Sequence, residues 1–109
     1  KDLKSLLAFV TAEARHVTSS TAYAKANQRI RARIFALLRN PKLQDVASSF
    51  DDRLVFIRRQ TLRNQTTREI SAAGNVRLAE ALAARDEEGA AEAMRHLLAE
   101  AHRAIVELL

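Results

Sequence analysis

Residues that break helices are almost missing from this sequence. It contains two Gly and one Pro in 109 residues, while 48% of its residues are apolar. Sheets of short strands need Gly, Asn or Pro where the chain reverses, so this scarcity argues against a β fold. The apolar residues recur instead at helical spacing. The sequence therefore predicts an all-α fold, and its length allows one domain.

Five helical segments follow from the apolar spacing and from the stop signals between them. They are predicted over residues 3–17, 22–39, 41–63, about 66–85, and from 87 to the C-terminus. Thr66 and Glu69 have the spacing of a capping box, and Asp86 is expected to cap the last helix. The linkers are short, which predicts that sequential helices pack antiparallel as a bundle. The predicted inward stripe of the last helix contains Met94, Leu97, Leu98, Ala101, Ile105 and Leu108.

Polar side chains interrupt the inward stripes of the predicted helices. Asn27 lies near the centre of the second apolar arc, Arg31 lies one turn further along it, and Asn75 lies at the edge of the fourth arc. Arg53 flanks the third stripe in the same way. One interpretation of Arg31 is that its stem covers apolar surface while its guanidinium reaches water or a carboxylate. The alternative is that Asn27, Arg31 and Asn75 line a cavity in which a ligand carboxylate meets the planar guanidinium at two points.

Several kinds of chemistry are excluded or disfavoured. The absence of Cys excludes a thiolate zinc site, a disulfide framework and a catalytic cysteine. His96 and His102 are six residues apart, not the four that let two imidazoles on one helix share a metal, so we expect no metal and no cofactor. Asp51 and Asp52 are adjacent and cannot both face inward on a helix. We therefore expect that the domain is not an enzyme.

The net charge of +5 raises the question of nucleic-acid binding. Fourteen of the eighteen basic residues are Arg, and they are scattered through all five segments. Nucleic-acid surfaces more often combine a basic stripe with aromatic side chains, and only five aromatic residues are present. One possible nucleic-acid-binding patch consists of Arg29, Arg33, Arg58, Arg59 and Arg63. A solvated surface is the simpler interpretation of these residues.

Three stretches share a pattern with a known family. Residues 27–31 (NQRIR) and 37–43 (LLRNPKL) are similar to D/N-x-x-F-H...GNP-x-L, and residues 78–97 (LAEALAARDEEGAAEAMRHL) are similar to H-R-x-I-x-x-A-I-x-x-G-D...A-M-x-x-H-L. These patterns belong to the FCD domain. The sequence thus resembles the C-terminal effector-binding domain of FadR-subfamily GntR-type transcription regulators.

The resemblance implies an antiparallel helical bundle of about five to seven helices with a central ligand cavity. In that family the cavity generally binds small carboxylic acids, often through a metal held by an Asp or Asn and three histidines. Matched by position, the first ligand falls on Asn27, and the histidines fall on Arg31, Asn75 and Leu97, or on His96 if the register slips by one. The resemblance therefore implies the cavity here with the ligand histidines replaced.

Residues 1–109 are accordingly expected to form the effector-binding and dimerisation domain of a cytoplasmic bacterial transcription regulator. Its expected ligand is a small organic acid bound by Arg31, Asn27 and Asn75, with Arg53 as a weaker candidate. DNA is expected to contact only an N-terminal winged-helix domain that is absent from this chain. No apolar run approaches the roughly 20 residues of a membrane span. The alternatives are a helical interaction module without a small ligand and direct nucleic-acid binding by the arginines.

Overall fold

A computed structural model describes residues 2–37, 45 and 56–108 of the chain. Within these residues the regular elements are all helical. Helix α1 spans Asp2–Glu13 and is followed by a 3₁₀ helix, Ala14–Thr18; α2 spans Ser20–Ala36, residues 56–61 are helical, α3 spans Gln65–Ala83 and α4 spans Glu87–Leu108. The predicted all-α bundle is confirmed.

Part of the third predicted segment lies outside this description. Of residues 41–63, those at 45 and 56–61 are described as helical, and a turn follows at Leu62 and Arg63. Arg53, the weaker candidate for the binding site, lies outside the described residues, as do Asn40 and Pro41.

The start of α3 differs from the predicted capping box. The side-chain oxygen of Asn64 accepts a hydrogen bond from the Thr67 backbone N–H at 3.0 Å, and the helix begins at Gln65. The prediction that Thr66 caps this helix was therefore wrong. Asn is as good an N-cap as Ser and better than Thr, and Asn64 has the extended backbone that an N-cap requires. Asn64 therefore caps the helix in place of Thr66, and the helix begins earlier than predicted.

The turn between α3 and α4 follows the prediction. Arg85 adopts a left-handed backbone with φ of 56°, a conformation common just after the end of a helix. Asp86 then accepts a hydrogen bond from the Gly89 backbone N–H at 2.9 Å, which confirms it as the cap of α4. This short connection makes α3 and α4 an antiparallel hairpin.

The two helices of the hairpin approach each other closely. A Cβ atom built on Gly74 would lie 2.6 Å from Cδ2 of Leu97, so the absence of a side chain at Gly74 makes room for Leu97. Ala93 is also buried, whereas Leu98 and Leu108 are 60% and 51% exposed. The predicted stripe of α4 was therefore wrong at both leucines. The buried residues Ala93 and Ala104 lie about 80° around the helix from the centre of the predicted stripe, so the inward face of α4 is rotated towards these small side chains.

Two apolar clusters form the core of the described residues. The first joins α1, α2 and α3 through Leu6, Val10, Ile30 and Ala79. The second contains Tyr23, Ala26, Leu62 and Ala72. The two clusters are separated by about one helical turn on α2 and by about two turns on α3, and the polar side chains Asn27 and Asn75 lie in these intervals.

Candidate functional site

Four buried polar side chains are grouped where the two apolar clusters meet, and one of them, Tyr23, also belongs to the second cluster. Tyr23, Asn27, Ser71 and Asn75, here called the polar cluster, are each no more than 7% exposed. The Asn75 amide nitrogen donates to Asn27 Oδ1 at 3.2 Å and to the Tyr23 hydroxyl at 3.3 Å. The Tyr23 hydroxyl lies 2.9 Å from Ser71 Oγ. The cluster is thus a continuous hydrogen-bonded chain from Asn27 to Ser71.

Helical spacing on two elements builds this chain. Tyr23 and Asn27 are four residues apart on α2, and Ser71 and Asn75 are four residues apart on α3, so each pair shares a face. Because Tyr23 contacts Ser71 while Asn27 contacts Asn75, the two helices run in the same direction here. The structure brings Asn27 and Asn75 together, as the helical-wheel argument indicated; their binding of a ligand stays a prediction.

The sequence analysis missed two members of the polar cluster. Tyr23 and Ser71 were not predicted as members of the site. Tyr23 lies one helical turn before Asn27, and Ser71 lies one turn before Asn75, on the same helix face in each case. Both could have been predicted by looking for polar side chains one turn away from each inward asparagine. A buried Tyr hydroxyl needs a hydrogen-bond partner, and this requirement was the available signal.

Two arginines lie beside the polar cluster. Arg31 is half-buried, its Nε atom is buried, and it follows Asn27 by one turn of α2. Arg58 is half-buried on the helical residues 56–61, with its Nη1 atom 3.5 Å from Thr61 Oγ1. The positive charge of Arg58 acts on the Tyr23 phenol and tends to lower its pKa. The neutral cluster therefore has a basic neighbour on α2 and another on residues 56–61.

Burial has the largest effect on the Tyr23 phenol and raises its pKa above the usual value of about 10. The hydrogen bond with Ser71, the hydrogen bond from Asn75 and the charge of Arg58 act in the opposite direction and are smaller. The phenol is therefore neutral near pH 7, and it accepts a hydrogen bond from Asn75 and shares a second one with Ser71.

Tyr23 is the only Tyr in a chain without Trp, so its titration is directly observable. We expect tyrosinate absorbance of the native protein to rise at higher pH than that of the urea-unfolded chain. In the window above about pH 10, the unfolded chain loses this proton while the folded chain keeps it, so unfolding becomes easier as pH rises. Identical titration midpoints for the two states would contradict a buried phenol.

A narrow cleft reaches the Ser71 end of the polar cluster. It lies between residues 56–61, α3 and α4, and has a volume of about 20 Å³, enough for roughly one water-sized group. Its lining includes Arg58, Ser71, Glu100 and Arg103. A wider groove of about 470 Å³ lies on the outer side of the hairpin and is lined by charges of both signs, including Arg77 and Glu80. The groove lacks the buried polar groups that would orient a ligand.

Comparison with models of protein families identifies the family of this chain. The model of the FCD domain family matches residues 1–100. The chain belongs to the FCD domain family. FCD is the regulatory, effector-binding C-terminal domain of GntR-family regulators, and it is not a catalytic family. No curated protein and no solved structure matches the chain.

The positions where such domains often hold a metal do not fit one in this FCD domain. Asn75 directs amide hydrogens, which cannot ligate a metal, at Asn27 and Tyr23, and Arg31 is cationic. Leu97 is apolar, and His96 is exposed. Among residues 2–37, 45 and 56–108, no group of three or more His, Cys, Asp or Glu side chains could hold a metal ion. We therefore derive no step of effector binding through a metal.

Several arginines of the possible nucleic-acid patch contact this FCD domain's own side chains. Arg29 pairs with Glu13 at 2.5 Å, and the Arg33 guanidinium lies 4.5 Å from the centre of the Phe9 ring. These contacts join α2 to α1 across the surface. In the part of the chain that the structure describes, no helix is long and apolar enough to cross a membrane.

Proposed function

We propose that this FCD domain binds a small organic carboxylate at the polar cluster, within a bacterial regulator of the FadR subfamily of GntR proteins. Arg31 pairs with the carboxylate, and Asn27 and Asn75 hydrogen-bond to it. One observation carries the proposal: four polar side chains are buried together and bonded to one another where two apolar clusters meet. The central cavity around them stays a prediction.

Stability alone is a poor explanation for this polar layer. A buried neutral hydrogen bond contributes about 1 kcal/mol, and a well-packed apolar layer would stabilise the bundle comparably or better. The bonds that Asn75 donates are 3.2 and 3.3 Å long, at or beyond the long end of the usual range. A ligand carboxylate would replace them with shorter, charge-assisted bonds. The layer is therefore suited to exchange its internal bonds for bonds to an anion.

A bound anion would change how α2 and α3 are held together, since both helices supply the cluster. The first apolar cluster joins the same two helices to Leu6 and Val10 of α1. A shift between α2 and α3 therefore reaches α1, on whose N-terminal side we place the winged-helix DNA-binding domain. Regulation then requires only that the anion bind one arrangement of the domain more tightly than another.

Thermal unfolding against a panel of acids tests the proposal. The panel runs from acetate to octanoate and from malonate to suberate, with the matching primary amides as neutral controls. A true ligand at about a hundredfold excess over its Kd adds about 2.7 kcal/mol to the free energy of unfolding. For a domain of this size that corresponds to more than about 10 °C in Tm. If no acid in the panel stabilises the domain more than its amide, the proposal is wrong.

We also propose that the domain forms a homodimer through the outer side of α4. Leu98, Val106 and Leu108 are each more than half exposed and lie within one half of the circumference of this helix. Grouped exposed apolar residues of this kind commonly mark a protein interface. The same observation favours the alternative function, an interaction module without a small ligand.

Light scattering tests the dimer. Leu98→Glu is expected to give a monomer where the unchanged chain gives a dimer, because it places a charge in the contact. Ala73→Glu adds the same charge at an exposed position of α3, outside the proposed contact, and is expected to leave the mass unchanged. A monomeric unchanged chain would refute the dimer, and a dimer that persists in Leu98→Glu would move the interface elsewhere.

A further inference from the structure

A cleft opens between α1 and the second half of α2. It has a volume of about 220 Å³, space for roughly seven groups the size of a water molecule, and its lining residues are Ser5, Leu6, Arg33, Ala36 and Leu37. Leu6 is buried and Leu37 is half-buried, whereas Ser5 and Arg33 are exposed. The cleft, here called the α1–α2 cleft, therefore has an apolar wall beside two polar side chains.

Contacts with α1 hold the Arg33 guanidinium at this cleft. Its Cζ lies 4.5 Å from the centre of the Phe9 ring, and its Nη2 donates to Ser5 Oγ at 3.3 Å. Arginine has five N–H donors, and this hydrogen bond uses one of them. Because arginine has no acceptor atom, Ser5 can only accept from it, and the Ser5 hydroxyl keeps its own hydrogen for another acceptor. Two side chains on different helices thus present donors at one cleft.

The charge of Arg33 is met differently from that of Arg29, one turn earlier on the exposed side of α2. Arg29 pairs with Glu13. In the part of the chain that the structure describes, the hydrogen bond and the ring contact of Arg33 are made with a neutral hydroxyl and a neutral ring. A guanidinium with neutral partners attracts a carboxylate more strongly than one already paired with an acid, because its charge is not compensated. Arg33 is therefore the better placed of the two to receive an anion.

We infer that the α1–α2 cleft binds a monocarboxylate with a short alkyl chain, at a site separate from the polar cluster. The carboxylate accepts from Arg33 and Ser5, and the alkyl chain packs on Leu6 and Leu37. The volume fits an acid of about four to six carbon atoms. Arg33 follows Asn27 by six residues, or about 9 Å along the helix axis, so the two sites can be occupied independently. Because its donors lie on α1 and α2, the bound acid also joins these two helices.

Nuclear magnetic resonance of the isotope-labelled 109-residue chain tests the site with hexanoate, acetate and hexanamide. Hexanoate is expected to shift the backbone amide signals of Ser5 and Leu37 along one saturating curve, because both residues line the cleft. Acetate lacks most of the alkyl chain and is expected to bind at least about fivefold more weakly. Hexanamide has no charge and is expected to give no saturating shift.

A pair of arginine variants assigns the binding to Arg33. Arg33→Gln is expected to weaken hexanoate about tenfold, since it removes a charged donor from the cleft. Arg29→Gln removes the same charge from an exposed position outside the cleft and is expected to change the affinity by less than about twofold. Unchanged circular dichroism verifies that each variant folds.

A pair of added charges tests the cleft from the opposite direction. Ala36→Glu places a carboxylate at the cleft, three residues from Arg33 on the same helix, and is expected to weaken hexanoate at least about tenfold by pairing with that arginine. Ala32→Glu adds the same charge at an exposed position outside the cleft. It is expected to change the affinity by less than about twofold, because solvent and salt screen an exposed charge.

The outcomes separate this cleft from the polar cluster. Arg31→Ala is expected to leave the hexanoate curve of Ser5 and Leu37 unchanged; if it removes the shifts, they report binding at the polar cluster and the cleft site is wrong. Equal losses in Arg33→Gln and Arg29→Gln, or equal affinities for acetate and hexanoate, would also overturn the site. If no shift at Ser5 and Leu37 saturates, the cleft site is wrong, while the carboxylate binding proposed for the polar cluster is not affected.

Discussion

Replacing Arg68 by methionine is expected to lower the free energy of unfolding by about 4 kcal/mol, a large part of what a small domain possesses. Arg68 is 5% exposed on α3. Its Nε donates to the Val17 carbonyl at 2.6 Å, and its Nη1 donates to the carbonyls of Leu62 and Arg63 at 2.9 and 2.8 Å. These three carbonyls lie at the ends of helical segments, where no backbone N–H of the same helix is available to donate to them. Methionine fills the space but leaves all three acceptors without this donor.

Urea unfolding followed by circular dichroism measures the effect. Arg77→Met removes the same charge from an exposed position of α3 and is expected to change stability by less than about 0.5 kcal/mol. Arg68→Lys is expected to recover only part of the loss, because an ammonium lacks the planar fork that reaches three carbonyls. A loss below about 1 kcal/mol in Arg68→Met would show that water satisfies these carbonyls.

Periodicity and local chemistry predicted much of the fold from sequence. The stripes of α2 and α3 are long enough for a helical wheel to place Asn27 and Asn75 inward, and both are buried. Asp86 was predictable because a cap acts within three residues of its own position. Asn64 was missed because it and Thr66 are both possible N-caps only two residues apart. The N-cap preferences of Asn and Thr differ too little to decide between them from sequence.

Features that depend on distant parts of the chain were not predictable in the same way. Arg68 meets Val17 across 51 residues, and no local pattern distinguishes it from an exposed arginine on the same helix. The polar cluster similarly joins Tyr23 to Ser71 across 48 residues. The rotation of α4 depends on how Leu97 fits over Gly74 of α3, which a hydrophobic stripe does not encode. A polar group is thus buried where it finds a hydrogen-bond partner, and the packing of the helices decides which partner it meets.

Arg31→Ala is expected to weaken carboxylate binding about 100-fold or more, measured by calorimetry with the best acid of the panel. Removing one partner from a buried, hydrogen-bonded charge pair costs about 3 kcal/mol or more, and the anion would then face only neutral amides. Arg31 is half-buried, so its removal is expected to change stability far less than it changes binding. The prediction therefore separates recognition of the ligand from maintenance of the fold.

Two further variants make the role of Arg31 specific. Arg77→Ala gives the same net charge from an exposed site on α3 and is expected to bind as the unchanged domain does. Arg31→Lys keeps the charge but loses two-point contact, so we expect an affinity between those of the unchanged domain and Arg31→Ala. Equal losses in Arg31→Ala and Arg77→Ala would mean that the domain attracts anions through its overall charge. Unchanged affinity in Arg31→Ala would instead remove Arg31 from the site, because a bound carboxylate at the polar cluster would then depend on amide and hydroxyl donors alone.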